Sequence, residues 1–295
     1  MVPPAARFLG AFAILAAVLL IATFIWALNQ PLPPQPPMPN PNGYDDFVKA
    51  GQMLATLKSN QDYNTMGQDE LRTVVAANSE ALKLARTGLS RECRFPLEYS
   101  TTNNISLSAL KRLAQAFAAE GRLAQLENRP GDAAKSYSDT MRLGCQTSRG
   151  GRLIEALVSV AIEAIGATHL EKLVFSLDAK QCREAAAALE VADGQRAATA
   201  ALLDQESEWA RRTYGIKGQV MRLVSYKSVK QTEKGCATKI ATQQARTWQL
   251  MIDLAARAYE LDRGQRPKTI EELVPAYLKA IPFNPVTGTN MVYRP

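Results

Sequence analysis

The chain has little that could carry chemistry. Among 295 residues there is one histidine, His169, and the four cysteines contain no C-x-x-C pair. A Cys/His zinc centre needs several such ligands at short spacing, so neither a metal site nor a cofactor is expected. A serine or cysteine nucleophile would have to share that one histidine, and neither G-x-S-x-G nor a catalytic-cysteine signature is present. His169 stands near the end of an apolar helical stretch, where its charge complements the helix dipole, so a structural role is predicted. Phosphate-loop, dinucleotide and EF-hand patterns are also missing. Alternating apolar and polar positions are scarce, and only NMVYR, at 290–294, reads as extended.

What the chain does have begins with an uncharged apolar run, FLGAFAILAAVLLIATFIWAL, 21 residues from Phe8 to Leu28. As a helix it rises about 31 Å at ~1.5 Å per residue, the thickness of a hydrocarbon core. It is longer than the apolar region of a cleaved signal, and ALNQP is a poor cleavage site. A transmembrane signal-anchor is therefore expected over residues 1–28. Arg7 precedes the run and no Lys or Arg follows until Lys49, so the cation rule puts the N-terminus in the cytoplasm and the rest outside. Residues 29–43 contain seven prolines and predict a semi-rigid extended spacer. Residues 44–295 then form the extracytoplasmic domain. In that compartment Cys93, Cys145, Cys182 and Cys236 could form two disulfides, with three pairings open.

Nearly every apolar pattern in this domain has the helical period. Helices are predicted over 44–57 behind an Asn42 cap, 69–89, 107–126, 133–143, 153–170, 179–189, 197–209 and 238–261. The stretch LIEALVSVAIEAIGATHL is apolar all round and reads as the central core helix. Gly121, Ala133 and Tyr137 stand at the small, small and aromatic positions of a tetratricopeptide hairpin, where small residues let two helices approach. The predicted fold is all-α: a transmembrane helix, then a helical bundle or short α–α superhelix with one such hairpin and a short irregular tail.

Two constellations are candidate sites. Glu155 and Glu163 interrupt the core helix roughly 80° apart around its axis, and Glu206 lies near Trp209. Carboxylates in apolar surroundings need partners, or else serve acid–base chemistry with raised pKa values. They define a hydrolase-type alternative to a non-catalytic reading. The second constellation is basic. Between Trp209 and Trp248 lie Arg211, Arg212, Lys217, Arg222, Lys227, Lys230, Lys234, Lys239 and Arg246 against one acid, Glu233. Removing these nine cations and one acid from totals of 35 and 28 leaves 26 and 27, so the net charge of +7 resides here. Such a stretch attracts anionic polymers or headgroups. Outside the cytoplasm an anionic lipid, an envelope polymer or an envelope protein partner is expected rather than nucleic acid. The other reading of the stretch is a solvated loop between two helices.

The closing stretch 258–295 reads as a helix stop at Gly264, a Pro267 break, a Thr269/Glu272 capping box and a proline-fenced tail. It resembles the end of type II secretion pseudopilins, with Tyr259, Asp262, Gly264, Pro267, Leu273, Pro282, Pro285, Gly288 and Tyr293 at matching positions and Asn284 in place of the usual aspartate. That resemblance implies an accessory secretion or pilus-like component. The apolar run lacks the glutamate that opens a pseudopilin helix, and a proline spacer is foreign to that family. Over more of its length the chain resembles uncharacterised signal-anchored proteins of the bacterial envelope, through Asn42 to Asp46, Arg149 to Leu157 and Tyr259 to Tyr293. This resemblance implies a single-pass inner-membrane location and no particular activity.

Overall fold

The computed structural model describes residues 15–23, 26, 34–55, 62–99, 107–291 and 293. Most of the predicted anchor lies outside these residues. The parts described, 15–23 and Trp26, are helical, with Leu20 70 % and Trp26 68 % exposed. Residues 34–39 of the proline-rich spacer take up no helix or strand.

The domain is built from nine α-helices among the described residues: α1 (Gly43–Met53), α2 (Gln68–Ala77), α3 (Ser79–Leu89), α4 (Leu107–Leu126), α5 (Pro130–Thr147), α6 (Leu153–Leu173), α7 (Ala179–Gly194), α8 (Thr199–Val224) and α9 (Tyr226–Arg263). The all-α expectation holds for this part of the chain. Asn42 caps α1 as predicted, its Oδ1 accepting from the Tyr44 N–H at 3.2 Å. The same oxygen accepts from the Arg94 N–H at 2.9 Å, which ties the irregular segment after α3 to the start of the domain.

The helix predicted over 69–89 is divided. Asn78 separates α2 from α3, its Oδ1 accepting from the Ala55 N–H at 2.8 Å and its Nδ2 donating to the Val74 carbonyl. An asparagine that bonds local backbone competes with helix continuation, and the partner at Ala55 exists only in the folded chain.

The α4–α5 hairpin forms as its small and aromatic residues predict. A Cβ placed on Gly121 would lie 2.5 Å from the Tyr137 ring. The same device joins α5 to α6. A Cβ on Gly144 would meet Glu163 Cγ at 2.5 Å, and one on Gly166 would meet the Tyr137 carbonyl at 2.5 Å. Side chains at these positions would force the helices apart.

Helix α6 is the centre of the domain. Its Ala167, Leu170 and Leu173 join the largest apolar cluster, with α4, α5, α7 and α9. Ile162 joins a second cluster with α1, α3 and α4. Leu153 and Ala156 join a third, with Leu202 of α8 and Cys236 and Ile240 of α9. A helix that contributes to three clusters must be apolar on all sides, which is why Leu153–Ser176 is also the described segment long and apolar enough to span a membrane. Half of it is buried inside the domain.

The solvated-loop reading of the basic stretch does not hold: the residues between the helices predicted over 197–209 and 238–261 are themselves helical. α8 runs on to Val224 and α9 starts at Tyr226. Lys, Arg, Gln and Glu are good helix formers, so a charged stretch that buries few of its residues can still be helix. α9 stops at Gly264, whose φ of 71° suits glycine and whose N–H donates to the Glu260 carbonyl. Beyond it the expected capped helix is only a 3₁₀ turn, Ile270–Leu273, and Thr269 makes no side-chain cap. Glu272 accepts from the Tyr259 hydroxyl at 2.9 Å instead, fastening the turn to α9. The tail ends in a two-stranded antiparallel ribbon, β1 (Phe283–Asn284) with β2 (Thr289–Asn290), pairing Phe283 with Asn290.

Candidate functional site

The three glutamates are each engaged. Glu155 is 1 % exposed. It accepts from the Arg152 N–H at 2.7 Å and from the Arg152 guanidinium at 3.0 Å, closing the first turn of α6. That guanidinium lies 4.2 Å from the centre of the Trp209 ring, a desolvated cation–π contact. Glu206, half-buried, accepts from the Leu153 N–H at 3.2 Å. Glu155 and Glu206 therefore meet at the N-terminus of α6, where carboxylates complement the helix dipole.

Glu163 lies two turns further along and is fully buried. Both its oxygens accept from Arg196, each at 2.7 Å, and Ser159 Oγ donates to it at 3.1 Å. Arg196 also reaches Asp193 at 3.0 Å, and Asp193 accepts from Trp248 Nε1 at 2.7 Å. The network ties α6, α7 and α9. Burial works against the Arg196 charge, but Glu163 and Asp193 raise its pKa above the ordinary arginine value. Burial, reinforced by Glu163, pushes the neighbouring Cys145 thiol well up.

Two clefts open elsewhere. One of about 270 Å³ is lined by Glu171, Phe175, Asp253, Arg257, Glu260 and Tyr293, where burial raises the Asp253 carboxyl above the usual aspartate value. The other, about 630 Å³ between α5 and α7, carries Asp132, Lys135, Asp139, Lys180 and Glu184. None of Glu155, Glu163 and Glu206 lines either cleft. Sequence reasoning missed both, because their residues come from distant segments with no local pattern.

The cysteines do not pair. Cys93, Cys145, Cys182 and Cys236 are all buried free thiols. Cys182, Cys93 and Cys236 sit in the first, second and third apolar clusters respectively, while Cys145 lies beside Glu163. The structure holds four free thiols where two disulfides were possible.

The basic stretch divides into engaged and free cations. Arg212 pairs with Glu208 at 2.7 Å and lies over the Tyr99 ring. Arg222 and Lys230 share Glu233, at 2.8 and 2.9 Å. Arg246 binds Glu171 at 2.6 Å. Arg211, next to Arg212 in the middle of α8, is half-buried. Lys217, Lys227, Lys234 and Lys239 are exposed, with no carboxylate partner among the described residues. No protein-family model, no curated protein and no solved structure matches this chain.

Lys217 and Lys227 stand within and just after an exposed apolar stretch that counting charges overlooked. Tyr214, Ile216, Val220, Met221, Leu223, Val224 and Tyr226 are all exposed, Met221 at 67 % and Val224 at 83 %. Only Leu202, Ala210 and Gly218 of the 26 residues in α8 are buried. The signal was present in IKGQVMRLV, where five of nine letters are apolar.

Proposed function

We propose that the protein is a single-pass bacterial inner-membrane protein whose extracytoplasmic helical domain binds or scaffolds other envelope components. The observation that carries this reading is the order along the chain: an exposed apolar helix, a segment without helix or strand, then a packed helical domain. The engagement of Glu155 with Arg152 and of Glu163 with Arg196 favours binding over hydrolysis, since it gives those carboxylates a structural task. A C-terminal fusion to a reporter active only outside the cytoplasm should be active, and the chain should stay with membranes after an alkaline wash. A fusion active only in the cytoplasm would reverse the topology.

A second reading, an accessory component of a secretion or pilus-like system, rests on the closing segment 258–295. It requires copurification with pseudopilins from crosslinked native membranes, and their absence from the crosslinked material counts against it.

A further inference from the structure

We infer that the α8–α9 junction, residues 214–227, docks onto the surface of an anionic phospholipid bilayer. Two breaks isolate the segment. Gly215 has φ 56° and ψ −141°, outside the helical region, and Ser225 caps the end of α8 with ψ 19°. Between them Ile216–Val224 is a nine-residue helical piece whose polarity is inverted. At about 100° per residue, Ile216, Val220, Met221, Leu223 and Val224 cover an arc of roughly 160°. That arc faces solvent. Gly218 and Arg222 occupy the other side. Gly218 is buried, a Cβ there lying 2.6 Å from Tyr214 Cβ, and Arg222 reaches the buried Glu233 at 2.8 Å. An amphipathic helix in a water-soluble corner would turn these faces the other way. Aliphatic side chains on one face with lysines at its margin are the composition of an interfacial membrane helix.

Charge selects the occupant. Lys217 lies within the apolar arc, Lys227 follows in the first turn of α9 and Lys234 stands two turns further along, all exposed and without carboxylate partners among the described residues. Lysine stems can lie along apolar surface with their charge at headgroup level. A second copy would bring one basic stretch against another, and nucleic acid would leave the aliphatic arc in water. The proposal rests on the membrane-anchored reading for the nearness of a bilayer. The 29–43 spacer, even fully extended, reaches about 45 Å at ~3.1 Å per residue, which keeps the domain close to the lipid.

The test uses the full chain reconstituted in bilayers, with an environment-sensitive fluorophore on Val224→Cys, the native thiols being buried, and a control label on the exposed α7 position Val191→Cys. Nitroxide-bearing lipids should quench the Val224 label in phosphatidylglycerol-rich bilayers and leave the Val191 label unquenched. Combining Lys217→Gln, Lys227→Gln and Lys234→Gln should weaken docking by up to about fivefold per lysine at low salt, and added salt should weaken the wild-type contact. Equal quenching at both labels, no quenching at Val224, or burial of that label by a second copy as protein concentration rises would each overturn the proposal. If the chain washes out of neutral bilayers, the anchor reading fails. Quenching on adding anionic vesicles to that released chain would still support the docking surface, and its absence would overturn it.

Discussion

The α5–α6–α7 body and the α8–α9 junction use the same residue types in opposite ways. In the body, glycines remove side chains so that helices can touch, and charges are buried in bidentate pairs. At the junction, Gly215 breaks the helix, Lys217 and Lys227 have no carboxylate partner among the described residues, and aliphatic side chains face out. The body is shaped by what it packs against inside the chain. The junction exposes aliphatic side chains that the described residues leave uncovered.

Four measurements would break or sharpen that contrast. The largest effect is expected from Arg196→Ala, which strands a fully buried Glu163. Losing one partner of a buried ion pair costs about 3–5 kcal/mol, read as a lower denaturation midpoint. Replacing both, with Glu163→Leu and Arg196→Met, should recover most of that loss. Glycines come next, with opposite signs. Gly166→Ala drives a methyl into the Tyr137 carbonyl and Met141 and should cost about 1–3 kcal/mol. Gly235→Ala, where nothing lies within 4 Å of an added Cβ, should stabilise by up to about 1 kcal/mol through helix propensity. Equal effects at the two sites would erase the distinction.

The third measurement concerns His169, stacked on Tyr137 at 5.0 Å between ring centres. Burial, with help from Lys172 and Arg122, lowers its pKa below 6.5. The unfolded chain therefore takes up the proton first. Its neutral-form stability is present above pH 6.5 and is lost as pH falls from there through the folded-state value. His169→Phe should flatten thermal stability across that acid window, and an unchanged slope would assign the dependence to other groups. The smallest effect is predicted at the junction. Met221→Ser and Val224→Ser should change stability by no more than about 0.5 kcal/mol, and a larger loss would mean that these side chains pack inside the fold.

The sequence was most informative where a helix buries one stripe or all of its surface. The period of apolar residues located α4, α6 and the second half of α9, and Gly121 with Tyr137 announced a close helix pair. It was least informative where long-range partners decide the outcome. Asn78 divides a continuous helical pattern because Ala55 donates to it. Glu272 leaves its expected cap for the Tyr259 hydroxyl. Arg196 is an ordinary arginine by its neighbours in the chain, and only folding brings it to Glu163. At the junction, the density of cations drew attention away from the aliphatic letters between them, and exposure, which made the arc meaningful, is a property of the fold.

The four buried free cysteines carry a consequence if the domain stands in an oxidising compartment, as the proposed topology has it. Burial raises Cys93 to about 12 and Cys182 to about 11, so little thiolate is available once the clusters have closed. The native domain should be slow to react with oxidants. A partly folded chain, by contrast, can be crosslinked into shapes that exclude the native one. Thiol oxidation would then record how long a molecule stayed open on its way to the folded state, and the unpaired thiols would act as a timer on folding rather than as fasteners.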